Sequence, residues 1–392
     1  MRIMLAGGGS GGHVTPLRAI SESLLKKSKN STLELTVISD RAFFTQTEFL
    51  FKDQSEVTLR KIFSGKLRRY NNKSMVWHLT HAPTILKNIR DILLIGIGVV
   101  QAIAYFIRKK PDVVFCKGGY VCVPVGVAAR LFNVPMVIHD SDTHPGLTNK
   151  FLSRWAVKIG TGMPTKYYQY PVQKMVYSGI PIRHGIQPVN DKTKQTVKKK
   201  LGLTTDKPVL LVTGGGTGAR ELNDSIIYNA EALLESWQVV QQTGKGKAAK
   251  ALKVRKKLSE EQQKLWQIHE FADMLPLIQA SDIIVSRAGA TAMQEFANAA
   301  KPVLLLPNPY LTGGHQLKNA ELFLEEKAVR VIQETDLKKQ PDLLVLTLKD
   351  MQHNTQQTKA MAQRLYTTFA KPAASDEIAE LILDAATSTK RA

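Results

Sequence analysis

The sequence predicts an α/β chain built from two doubly wound, Rossmann-like domains facing a cleft. Three observations carry this. Short apolar runs alternate with longer helix-patterned stretches along the chain. The alternation restarts after a connection near 179–200. Each series also opens on a strand, a glycine-rich loop and a helix. Repeated strand–helix units imply parallel sheets covered on both faces, and two such series imply two domains. The 392 residues agree with that number at roughly 100–200 residues per domain.

In the first series, residues 2–6, 33–39, 112–116 and 135–139 read as buried parallel strands. The second runs 208–213, 237–241, 282–286, 302–306 and 328–332. The expected division is 1–182 for the first domain and 183–363 for the second. Helices over about 364–392 are expected to pack back onto the first. The basic runs 192–200 and 245–257 read as solvated helix faces.

Hydrophobic residues are 43% and charged residues 22%, which suits a globular chain with real cores. Lys and Arg number 54 against 33 acidic residues, a formal charge of +21. That excess implies an anionic partner: a membrane surface, a phosphorylated substrate or nucleic acid. No zinc-finger spacing and no RNP-like aromatic run occurs, so nucleic acid ranks last and none is expected as a partner. The two cysteines, Cys116 and Cys122, read as buried reduced thiols. Met1 to Gly8 reads as a first strand entering a loop, not as a signal peptide, so a cytoplasmic chain is expected. Residues 92–107 are nearly all apolar and cationically flanked. A core helix, an interfacial helix and a transmembrane span are weighed in that order, since a span needs about 20 apolar residues.

Gly7-Gly8-Gly9-Ser10-Gly11-Gly12-His13 lies between a strand and a helix. Glycines let a ligand approach the backbone, and a helix start offers N–H groups to a phosphate. The spacing is neither a P-loop nor the dinucleotide fingerprint. His13 suits a general base near neutrality. Gly214 to Arg220 repeats the arrangement in the second series. Arg183, on the connection, suits a diphosphate. Asp282 to Glu295 reads as strand, small-residue turn and helix, with Glu295 placed for a ribose diol. Gln316 and Asn319 are amides suited to sugar hydroxyls. His139-Asp140-Ser141-Asp142-Thr143-His144 contains an Asp-x-Asp match, for which substrate hydrogen bonding is favoured over a metal.

Together these segments resemble the MurG family of UDP-N-acetylglucosamine transferases, collinearly from residue 1 to about 330. Ser64 to Tyr70, Pro111 to Val121, His139 to Asn149, Gly179 to Arg183, Gly214 to Ala219 and Ser286 to Glu295 carry the likeness with Gly7 to His13. The resemblance implies a GT-B fold and an inverting, metal-independent transfer without cofactor. The donor would be UDP-N-acetylglucosamine; the acceptor, undecaprenyl-linked lipid I, would become lipid II for peptidoglycan synthesis. It also implies peripheral attachment to the anionic cytoplasmic face of the cell membrane, with cell-wall synthesis proteins as possible partners. By the same likeness the donor would meet Ser10, Asp142, Arg183, Gly215, Gly216, Thr217, Phe271, Ala272, Ala290, Thr291, Glu295 and Gln316. The acceptor would meet Ser10, Gly11, Gly12, His13, Gly118, Gly119 and Tyr120. His13, Asp142 and Arg183 would be catalytic, with the base left between His13 and Asp142. The sequence departs from common family residues at Ser10, Asp142 and Gly216-Thr217. The alternatives are transfer to another lipid such as diacylglycerol, a non-catalytic nucleotide-sugar binder, and a dinucleotide oxidoreductase, which the loop spacings disfavour.

Overall fold

The computed structural model describes residues 1–9, 11–28, 32–66, 77, 80–143, 145–215, 218–309 and 314–388. The chain divides into two compact units, Met1–His184 with Ala373–Ala392, and Gly185–Pro372. The first crossing thus falls after Arg183 and His184, which belong to unit 1. Residues 364–372 stay with unit 2: the helix Thr355–Phe369 packs there, and Phe369 O accepts from the buried Gln294 amide at 2.8 Å. The returning segment is the helix Ala374–Ser388, starting about ten residues later than the sequence suggested.

Unit 1 holds seven strands: β1 (Arg2–Gly7), β2 (Glu34–Asp40), β3 (Val57–Ile62), β4 (Val113–Gly118), β5 (Met136–Asp140), β6 (Lys158–Thr161) and β7 (Met175–Tyr177). They form one parallel sheet in the order β3-β2-β1-β4-β5-β6-β7. Its central strands are buried throughout, which is why they read as continuous apolar runs. Ile3, Leu5, Leu17, Ile20, Val37, Phe115 and Val137 share a core with Ile378 and Ile382 of the returning helix. Ser375 Oγ fixes that helix by donating to Ile182 O at 3.0 Å.

Unit 2 holds β8 (Val209–Thr213), β9 (Gln238–Gln242), β10 (Trp266–His269), β11 (Ile283–Ser286), β12 (Val303–Leu305) and β13 (Arg330–Val331). These form a parallel sheet ordered β10-β9-β8-β11-β12-β13. Trp237 and Trp266 are fully buried in its core with Leu210, Val212 and Val285. Strands β3, β6, β7 and β10 escaped the sequence reading. They lie at or near sheet edges, where short or alternating runs leave little apolar signature.

The apolar stretch 92–107 belongs to a 27-residue helix, Ala82–Arg108. By length and composition it could cross a membrane. Its amphipathicity is inverted. Asp91 is 2% exposed, and Gln101 Oε1 accepts from Phe63 N at 2.8 Å. Leu86, Ile89, Leu93, Ile97, Val100 and Ile107 form an outward stripe, Leu93 being 64% exposed. The core-helix reading therefore holds for part of its surface only: Gly98, Ala102 and Phe106 of the apolar set are buried.

Candidate active site

In an open doubly wound sheet, ligands bind at the carboxyl ends of the strands, where the winding direction reverses. In unit 1 that point lies between β1 and β4; in unit 2, between β8 and β11. The small-residue segments Gly8-Gly9, Gly118-Gly119, Gly214-Gly215 and Ala288-Gly289-Ala290 leave these four strands.

The unit 1 loops touch. A Cβ at Gly119, where φ is +85°, would stand 2.3 Å from Gly8 O. One at Gly118 (φ +119°) would come within 3.1 Å of the His13 ring. Glycine is required at both by conformation and by space. His13 is half-buried in the first turn of the helix Gly11–Lys27, beside Gly118. Gly11 and Gly12 are exposed at that helix start, and Tyr120 is half-buried. Not every loop amide is available to a ligand. Gly9 N donates to Asp40 Oδ2 and Phe43 N to Asp40 Oδ1, so Asp40, at the end of β2, fixes the first loop. Sequence reading missed Asp40; its signal was an acidic residue ending the strand next to β1.

A second missed group is Lys117, the last residue before Gly118. It is 1% exposed, and its ammonium donates to Ser141 Oγ at 2.6 Å. Burial lowers its pKa to about 8, against the attraction of Asp140 and Asp142. Burial pushes Asp140 up to about 6, while Tyr170, donating at 2.6 Å, favours the carboxylate. Asp142 itself is half-buried. His139 is fully buried with Nε2 2.8 Å from Gly179 O, which can only accept, so Nε2 carries the proton. Burial holds that imidazole neutral. Asn149 Nδ2 donates to His139 O at 2.9 Å. His139, Asp140 and Asn149 thus join a polar network with Gly179 and Tyr170. Arg183 is half-buried in unit 1.

In unit 2, Gly215 (φ +75°) and Gly218 (φ +69°) shape the β8 loop. A Cβ at Gly218 would lie 2.0 Å from Thr243 O. Ser286 Oγ donates to Thr213 O at 3.0 Å, joining the β8 and β11 ends. The helices Arg220–Tyr228 and Ala290–Asn298 both start at these ends without a side-chain cap. Their first N–H groups and positive dipole ends suit a diphosphate. Ala290 and Thr291 open the second helix, and Glu295, half-buried, lies one to two turns in. Arg287 is not presented to a ligand: it is 5% exposed, paired with Glu334 and donating to Leu306 O at 2.7 Å. Asn319, expected to read sugar hydroxyls, is instead buried and holds Ala288 O at 3.1 Å. Gln316 is half-buried, its Oε1 accepting from Asn308 N at 2.9 Å. Phe271 is 61% exposed beyond β10, with Ala272 half-buried beside it. Ser10, Gly216, Thr217, His144 and residues 67–70 lie outside the described residues.

Known proteins agree with this architecture. Residues 3–161 match the glycosyltransferase family 28 N-terminal domain, and 209–378 its C-terminal domain. The chain is 32% identical over 365 residues to UDP-N-acetylglucosamine–N-acetylmuramyl-(pentapeptide) pyrophosphoryl-undecaprenol N-acetylglucosamine transferase 2 of Bacillus thuringiensis subsp. konkukian, covering 93% of this chain and 95% of that protein. It is 36% identical over 344 residues to the transferase of that name from Lachnospira eligens, covering 86% and 88%. Among solved structures, Acinetobacter baumannii MurG superposes with a TM-score of 0.68 at 24% identity, over 98% of this chain and 99% of that one. UDP-GlcNAc 2-epimerase from Neisseria meningitidis shares the fold at TM-score 0.63 and 15% identity, over 98% and 100%. With both family 28 halves in place, and such relatives matched along nearly its whole length, the chain belongs to the MurG family of glycosyltransferases, with the GT-B fold.

Proposed function

We propose that the chain transfers N-acetylglucosamine from UDP-N-acetylglucosamine to the C4 hydroxyl of the muramyl sugar of lipid I, giving lipid II. One observation carries this: in a chain matched end to end by transferases of that name, both switch points keep small-residue loops that lead into helix starts. Unit 2 holds the donor. The helix starts at Arg220 and Ala290 take the diphosphate, Glu295 the ribose, Gln316 the sugar, and Phe271 and Ala272 the uracil. Gly215, Gly216 and Thr217 line the donor sugar. Unit 1 holds the acceptor diphosphate at Gly11, Gly12, His13, Gly118, Gly119 and Tyr120, with Ser10 in the same loop.

The reaction is a single displacement with inversion at the anomeric carbon. His13 takes the proton from the attacking hydroxyl, and Asp142 orients the sugar. Arg183 and the helix starts stabilise charge on the departing UDP. UDP-N-acetylglucosamine is a substrate, and the reading assigns no cofactor or metal. Loss of one preorganised donor of this kind costs about 2.7–4 kcal/mol of barrier.

The outward stripe on the helix Ala82–Arg108, with Arg108, Lys109 and Lys110 at its C-terminal end, supports docking on an anionic membrane surface that carries the acceptor. Buried Asp91 and half-buried Gln101, which bonds Phe63 N, favour a helix lying in the interface over a spanning one.

The test is transfer of labelled sugar to a lipid I analogue and to diacylglycerol, for wild type, His13→Gln and Arg183→Ala. Transfer to the first alone, lost about a hundredfold in Arg183→Ala, is expected. Transfer to diacylglycerol alone, or donor binding with no transfer, overturns the proposal.

A further inference from the structure

We infer that a separate pocket in unit 1 binds the peptide arm of the acceptor, an inference that rests on the transferase reading above. The pocket has a volume of about 350 Å³ and is lined by Thr143, Lys150, Ser153, Tyr167, Gln169 and Tyr170. Its walls come from the segment after β5, the helix Leu147–Leu152 with Ser153, and the segment after β6. The volume falls in the ordinary range of small-ligand sites, roughly 300–1,000 Å³.

The lining fits an acidic peptide. Amide groups need hydrogen-bond partners of both kinds, and carboxylates need cations. Ser153 Oγ gives its proton to Lys150 O at 2.9 Å, and Tyr170 gives its own to Asp140. Both hydroxyl oxygens are thereby oriented as acceptors for peptide N–H groups. Gln169, exposed, supplies a donor and an acceptor. Lys150 lines the pocket, and two more lysines stand beside it. Lys174 Nζ donates to Ser153 O at 3.5 Å, and Lys166 Nζ lies 4.9 Å from the Tyr167 ring centroid. None of the lining residues among those described is acidic. The pocket has no glycine loop and no long helix start, so it is unlike the diphosphate sites.

Its place in the fold supplies the second argument. Tyr170 holds Asp140, Asp140 lies in the field of Lys117, and Lys117 precedes Gly118, which faces His13. The pocket is therefore connected by successive buried groups to the loops assigned to the acceptor diphosphate and sugar. Five extended residues span about 17 Å, the reach available to a pentapeptide carried by that sugar.

The experiment compares two lipid-linked muramyl acceptors, one with the full peptide and one cut back to the lactyl amide. Wild type, Lys150→Glu and Gln169→Ala are assayed for kcat/KM. Lys150 is exposed, so its replacement leaves the fold intact, checked by circular dichroism. The wild type is expected to prefer the full acceptor at least tenfold. Lys150→Glu should remove most of that preference, through KM, while the truncated acceptor stays within twofold. Gln169→Ala should act in the same direction more weakly. Equal losses on both acceptors, or no wild-type preference, overturn the pocket assignment alone. Absence of wild-type transfer to either acceptor overturns the function proposal, and this site with it.

Discussion

Replacing Lys117 with Met separates stability from activity. A lysine whose pKa falls from 10.5 to about 8 has its ammonium disfavoured in the fold. At 1.36 kcal/mol per tenfold, the penalty is roughly 3 kcal/mol. The attraction of Asp140 and Asp142 is already inside that figure. The lost hydrogen bond from the ammonium to Ser141 offsets about 2 kcal/mol of this, so Lys117→Met should be more stable by about 1 kcal/mol near pH 7.5. The sign follows from linkage. The folded pKa is the lower one, so the penalty is complete below about pH 8 and vanishes above about 10.5. The stability gap between variant and wild type should therefore close as pH rises through that interval. Activity should move the other way. Without its tether the Ser141–Asp142 turn shifts, and a misplacement of about 1 Å can cost a hundredfold. Hydrogen exchange of the β4 and β5 amides reads unit 1 separately from unit 2, and transfer to a lipid I analogue gives kcat. A variant destabilised near pH 7.5, or one with full kcat, refutes a lysine kept for function at the expense of stability.

Tyr170→Phe removes a donor that favours the Asp140 carboxylate. Asp140 should then titrate above its present value of about 6, moving the acid limb of the kcat/KM profile upward; an unmoved limb counts against Asp140 as a group the site needs ionised. Gly218→Ala places a Cβ 2.0 Å from Thr243 O at a φ of +69°, where the left-handed backbone alone costs about 1–2 kcal/mol. UDP affinity by calorimetry should fall tenfold or more, and an unchanged Kd argues against a donor loop there. The double change Leu93→Glu and Ile97→Glu removes two residues of the outward stripe, each worth about 1.5–3 kcal/mol if fully buried. Sedimentation with anionic vesicles should show at least a tenfold weaker partition, with kcat on a water-soluble acceptor unaffected. Undiminished partition refutes the stripe as the docking face.

The sequence showed most plainly what a parallel sheet makes obligatory. Central strands β1, β4, β5, β8 and β11 are buried on both faces, so they must be continuous apolar runs, and the glycine loops follow at their carboxyl ends. Gly118 and Gly119 were legible as a loop because their positive φ and close neighbours admit little else. Roles that depend on three-dimensional pairing were not legible. Asp40 reaches the Gly9 amide from 31 residues away, Lys117 reaches Ser141 across 24, and Tyr170 reaches Asp140 across 30. None of these spacings marks a motif. Asn319 shows the converse failure: its amide has the chemistry of sugar recognition, yet it is spent on holding the Ala288 turn, as the Arg287 guanidinium is on the strand end at Leu306. Residue type sets what a side chain can bind; burial decides whether a ligand or the protein takes it. The helix Ala82–Arg108 makes the same point from the apolar side. Its composition suggested a core element, but Asp91 and Gln101 hold the inward positions, and they turn the apolar stripe outward. Under the proposed transfer to a lipid-borne acceptor, that inversion supplies the apolar face with which a strongly cationic chain would dock on a bilayer.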